Sequence, residues 1–244
     1  MKQAWLIFKG EFVRLMRSGG TYALLAFFYL LCGAFMFAVL LQSAGGPRPE
    51  NPFKTFWSFQ WIGNVVLVPL LTMRLLASQR KAGLLASVLA TPTSPVQLIF
   101  GEFSAAYLLY LLCWMVVPVY MFLVSMVGLS PADSSYLFNF SAMAGGAIFC
   151  VGSGFTLVAL GIFSSSLTRN GWLSGALTAC LILLAIMLPS MTEGLVTLPD
   201  SLDYLNSLSD FADGRIALGV LATEFLTGLA LLIGASLVVE RGAD

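Results

Sequence analysis

Residues 68–103 read VPLLTMRLLASQRKAGLLASVLATPTSPVQLIFGEF, and the assignment of the rest of the chain turns on them. The stretch leaves one apolar run, passes Arg74, Arg80 and Lys81, breaks at Thr91-Pro92-Thr93-Ser94-Pro95, and enters a second apolar run. At a bilayer centre each cation costs about 2.5–3.5 kcal/mol, so burying all three in hydrocarbon would cost roughly 8–10 kcal/mol. The stretch therefore reads as a water-facing connector between two membrane helices. Residues 82–90 are long enough for a short amphipathic helix, which Thr91-Pro92 ends. Ser94, Pro95 and Gln97 then match an N-cap, a first-turn proline and a capping-box acceptor for the next helix, which carries Glu102 near the interface. A connector braced by two membrane helices is suited to passing force inward from a soluble partner.

The composition agrees with a membrane setting. Of 244 residues, 59% are hydrophobic and only 10% charged, where a soluble domain carries about a quarter. Mean hydropathy is +0.91. An all-α polytopic membrane protein follows, with six spans over 21–41, 57–76, 104–127, 142–163, 171–188 and 216–239, forming a single transmembrane domain. Before the first span, residues 3–17 set Trp5, Phe8, Phe12, Leu15 and Met16 at helical spacing. This predicts an amphipathic interfacial helix in contact with membrane lipids, the alternative being a cytoplasmic extension of the first span. Residues 2–17 mix polar and apolar types and do not read as a cleavable leader.

Several details refine the spans. Trp57, Phe59 and Trp61 read as an interfacial belt opening the second span. Pro69 and Pro118 are expected kinks in the second and third. Gln60 and Asn64 are expected to face other helices or a cavity, since lipid offers them no partner. The fourth span carries Gly145, Gly146, Gly152, Gly154 and Gly161, a pattern that favours close helix packing over conduction. Gly171 and Gly175 stand in GxxxG spacing in the fifth span, which is expected to stop at Pro189. The acidic region 190–215 keeps periodic Leu202, Leu205, Leu208 and Phe211, which predicts short surface or re-entrant helices. Glu224, early in the sixth span, is either an intramembrane polar site or the wet end of its helix.

Charge sets the orientation. Nine of the twelve cations fall on one side of the predicted spans, and only Arg48, Lys54 and Arg215 on the other. The positive-inside rule then puts both termini and the connector in the cytoplasm and the acidic region outside.

Absences exclude function classes. With no histidine, Ser-His triads and ordinary zinc sites are ruled out, and no cofactor or metal is expected. Cys32, Cys113, Cys150 and Cys180 all lie in apolar runs and read as small hydrophobes. No basic face points to nucleic acid. A P-loop needs glycine before its lysine, whereas Lys2, Lys9, Lys54 and Lys81 follow Met, Phe, Phe and Arg, so the chain is not expected to be an ATPase.

The stretch from Thr72-Met73-Arg74 through Gly83, Pro92 and Gly101 resembles the signature region of ABC-2 type permeases, in particular their gliding-motility-like branch. The run LDYLNSLSDFADGRIALGVLATEF, with Phe211 and Gly214, is similar to that branch's lead-in to its last span. The resemblance covers most of the chain as patterns of residue type. It departs from the branch at Ala77-Ser78-Gln79, where acidic residues are usual, and in lacking a histidine before Phe211. It implies the permease subunit of an ABC exporter in a bacterial cytoplasmic membrane, paired with a second permease subunit as a homo- or heterodimer. A separate ABC ATPase would dock on the coupling helix in the connector 77–103, with Arg80 and Lys81 at the rim and Gly83, Leu84, Leu85 and Leu89 on the helix. A non-transporting membrane scaffold for a motility or envelope complex is the alternative.

Overall fold

The computed structural model describes residues 2–44, 52–73, 75, 94–126, 139–168, 170–192 and 203–241. Arg80, Lys81, Gly83, Leu84, Leu85 and Leu89, and with them the expected coupling helix, lie outside the described residues. Among the described residues the secondary structure is helical throughout, without a strand. The helices are α1 (Lys2–Arg17), α2 (Gly19–Ala44), α3 (Pro52–Ser58), α4 (Gln60–Thr72), α5 (Pro95–Met126), α6 (Phe140–Leu167), α7 (Gly171–Thr192), α8 (Tyr204–Ala212) and α9 (Leu218–Arg241). Five of them, α2, α5, α6, α7 and α9, are long and apolar enough to cross a bilayer. The described residues are all-helical, and five apolar helices of spanning length mark a multi-pass membrane protein.

The second predicted span differs most from expectation. Instead of one helix over 57–76, the chain forms α3 and α4, broken at Phe59, whose φ of −100° and ψ of 7° leave the helical basin. Ser58 helps to break it, because its Oγ donates to the Lys54 carbonyl at 3.0 Å, the back-bond to residue i−4 that bends helices. Trp57 is also not an interfacial residue. It is fully buried and stacks on Trp114 with centroids 6.0 Å apart, while Phe59 is exposed. Pro69 lies inside α4 and Pro118 inside α5.

Further on, α5 starts where its capping box predicts. The Gln97 backbone N–H donates to Ser94 Oγ, and the Ser94 N–H donates to Gln97 Oε1, both at 3.3 Å. Pro189 does not end α7, which continues to Thr192. Proline in a last turn forfeits only one internal hydrogen bond, and the helix is nearly complete there. α1 packs along α5, and its Glu11 pairs with Arg14. Burial pushes the Glu11 carboxyl above its ordinary range, and the Arg14 charge opposes that rise.

α6 is the axis of the molecule. It packs against α3, α4, α5, α7, α8 and α9, and its glycines make this possible. A Cβ on Gly146 would stand 2.4 Å from the Trp57 ring, one on Gly154 2.1 Å from Tyr110, and one on Gly161 2.5 Å from Thr72 Oγ1. Gly152 likewise meets Leu221, and Gly145 the Phe211 backbone carbonyl, so every glycine of the predicted stripe lies against another element and the stripe is a packing face. The pair in the fifth span behaves alike, since Gly171 and Gly175 both lie against Met73 at the end of α4.

The acidic region holds one amphipathic helix among its described residues. Asp203 caps α8 by accepting from the N–H groups of Leu205 and Asn206, each at 3.1 Å. The far end closes with Gly214 N–H donating to the Phe211 carbonyl and Arg215 N–H to the Asp210 carbonyl, both at 2.9 Å. Those two bonds form a Schellman turn, which needs a left-handed residue after the helix. Gly214, with φ of 83°, is the only residue among those described with positive φ. α8 lies across α3 and α6, tied down by a 2.7 Å ion pair between Asp213 and Lys54.

Candidate functional site: a buried polar layer and an adjoining crevice

The sequence singles out Gln60, Asn64 and Glu224 as polar groups in apolar surroundings, and the fold separates them into two neighbouring features. Gln60 and Asn64 lie one helical turn apart on α4 and are both buried. Asn64 is a junction. Its Oδ1 accepts from Tyr110 OH and from Trp114 Nε1, each at 3.0 Å, and its Nδ2 donates to Tyr204 OH at 3.0 Å. Tyr110 OH also lies 3.4 Å from Cys150 Sγ. One amide therefore joins α4, α5 and α8, and reaches α6 through Tyr110. Gln60 lies in the same layer, and its side-chain amide makes no hydrogen bond within the described residues.

The groups around Asn64 were not singled out from the sequence. Tyr107, Tyr110 and Trp114 fall at i, i+3 and i+7, so they share one face of α5. Tyrosine and tryptophan each carry an apolar body and a polar tip that seeks a partner when buried. That signal was present, but the partners stand 46, 50 and 140 residues from Asn64 or its bonding groups, beyond the reach of local pattern. The Trp114 position also depends on Gly63, where a Cβ would come within 2.9 Å of the indole.

The second feature is a crevice of about 620 Å³ between α6, α7 and α9. α7 and α9 both pack against α6 but make little contact with each other, and the crevice is the space left between them. Glu224, Thr223 and Thr227 line it from α9, Thr156 from α6, and Tyr204 from α8. Tyr204 thus belongs to both features, bonding Asn64 on one side and walling the crevice on the other. Thr156 Oγ1 donates to the Glu224 backbone carbonyl, and Thr227 Oγ1 donates to the same carbonyl at 2.9 Å. The Glu224 carboxyl takes part in none of the ion pairs among the described residues. It lines the crevice from α9.

The amide junction consists of neutral groups already bonded to one another, so its chemistry is positional. No group of three or more potential metal ligands occurs among the described residues. Comparison of the sequence with models of known protein families finds no match, and comparison with curated proteins finds none.

Proposed function

We propose that this chain is the membrane-spanning permease subunit of an ABC exporter, coupling ATP hydrolysis by a separate ATPase subunit to export across a bacterial cytoplasmic membrane. In this reading α3 and α4 together make a sixth crossing, 21 residues from Pro52 to Thr72, bent at Phe59. Both termini face the cytoplasm, and the ATPase grips residues 82–90 in the connector between α4 and α5. Two such subunits pair to form the transport path, and neither needs a nucleotide site of its own.

One observation carries the reading. The two helices that bracket the cationic connector are pinned to each other by the bonds from Tyr110 and Trp114 to Asn64, and to α8 by the bond from Asn64 to Tyr204. In this reading, movement imposed on the connector is passed toward α8 through these hydrogen bonds. The test is co-purification of the native membrane complex followed by transport assays. An ATPase should accompany the chain, and replacing Leu84, Leu85 and Leu89 together by Asp should release it and abolish transport. A chain that retains no ATPase, and whose triple variant behaves as the parent, is a membrane scaffold instead.

A further inference from the structure

The crevice between α6, α7 and α9 is polar at one end and apolar along its length. The polar end holds Thr223, Glu224, Thr227 and Tyr204, and the walls beyond it are Leu160, Phe163, Leu231 and Gly234. From Thr223 to Gly234 is eleven residues of helix, about 16 Å at the α-helical rise. Half the hydrocarbon thickness of a bilayer is about 15 Å, the length of one acyl chain. The volume of about 620 Å³ falls in the range of ligand pockets, ~300–1,000 Å³. The side between α7 and α9 opens outward, with Leu188, Thr227 and Ala230 exposed, so an occupant can enter sideways from the lipid.

Charge narrows the occupant. Glu224 puts a carboxyl at the polar end, and no cation among the described residues pairs with it. A phosphate or carboxylate head would meet a like group with no counterion beside it. An ammonium head would donate to Glu224 and to the hydroxyls beside it, and charge-assisted hydrogen bonds are the strong ones in a desolvated site. We infer that this crevice is a binding site for a single-chain amphiphile bearing a protonated amine, its head at Glu224 and its alkyl chain running along α9 toward Phe163 and Gly234. The site is built by α6, α7, α9 and Tyr204 of α8 and requires no ATPase, so it stands or falls separately from the permease reading.

The test uses the full chain in nanodiscs of neutral phosphatidylcholine, without nucleotide. The probe is dodecylamine with a photoreactive diazirine at the end of its chain, and the matching dodecanol probe is its control. The amine should label residues around Phe163 and Gly234 and be displaced by unlabelled dodecylamine. Glu224→Gln should weaken amine labelling about tenfold and leave the alcohol unchanged, while Ala230→Phe, which fills the groove from an exposed position, should block both probes. Labelling spread evenly over the lipid-facing helices would overturn the inference. So would equal labelling by amine and alcohol in the unaltered protein, or labelling that survives Ala230→Phe. If Glu224→Gln does not fold, the comparison of amine with alcohol on the unaltered chain decides.

Discussion

Asn64 shows how much a single polar side chain organises in an apolar bundle. Three of its four hydrogen-bonding capacities are met by groups from α5 and α8, and each partner is itself buried. Replacing it with leucine keeps the volume nearly constant but leaves a tyrosine hydroxyl, an indole N–H and a second hydroxyl short of a partner. Interhelical hydrogen bonds in membranes average about 0.6 kcal/mol, and stranded buried groups cost more. Asn64→Leu is therefore expected to destabilise the protein by about 1–3 kcal/mol, read as a lowered unfolding midpoint in detergent. Trp114→Phe should cost less, and the double variant should cost clearly less than the two single losses together, because both remove the same bond. Strict additivity would mean that Trp114 and Asn64 do not interact. The polar character of Asn64 was legible in the sequence, since an amide in a lipid-facing position has nothing to bond. Its partners were not, because nothing local relates Asn64 to Tyr110, Trp114 or Tyr204.

Among the elements, α6 and α8 show what pattern reading captures and where it stops. The glycines of α6 announced a packing face, but not what each would receive. The hydropathy of α2, α5, α6, α7 and α9 marked these helices to within a few residues at most ends, because a long apolar run has few alternatives in lipid. The break at Phe59 was hidden, since a buried tryptophan and an interfacial one look the same in a sequence. The same holds for Pro189, whose effect depends on how much helix follows it. Gly145 offers the sharpest test of the packing face. A Cβ there would fall 1.8 Å from the Phe211 carbonyl oxygen, which belongs to a backbone and cannot rotate aside. Gly145→Ala should push α8 off α6, destabilise by about 2 kcal/mol or more, and raise hydrogen exchange across residues 204–212. Gly33, inside α2, has nothing within 4 Å of its built Cβ, and Gly33→Ala should be neutral or stabilising by up to about 1 kcal/mol. Equal effects at the two positions would show that α8 does not rest on α6 as described.

For the whole molecule, the alternation of the helices makes an orientation test decisive. Lys54 and Asp213 pair at 2.7 Å, so the chain around α3 and the turn after α8 share one end of the bundle. At the other end Leu15, Thr21 and Met73 line one cleft, which brings the α1–α2 junction beside the exit of α4. Arg215 follows the turn after α8, and the proposed topology expects Lys81 at the opposite end. In a background with Cys32, Cys113, Cys150 and Cys180 replaced by serine or alanine, Lys81→Cys should react with a membrane-impermeant maleimide only in inverted vesicles. Arg215→Cys should react only in intact spheroplasts. A chain oriented the other way would reverse both results together, leaving the fold intact but removing the connector from any cytoplasmic ATPase. Reaction of both cysteines from the same side would instead contradict the alternation itself, and with it the proposal that α3 and α4 form a sixth crossing.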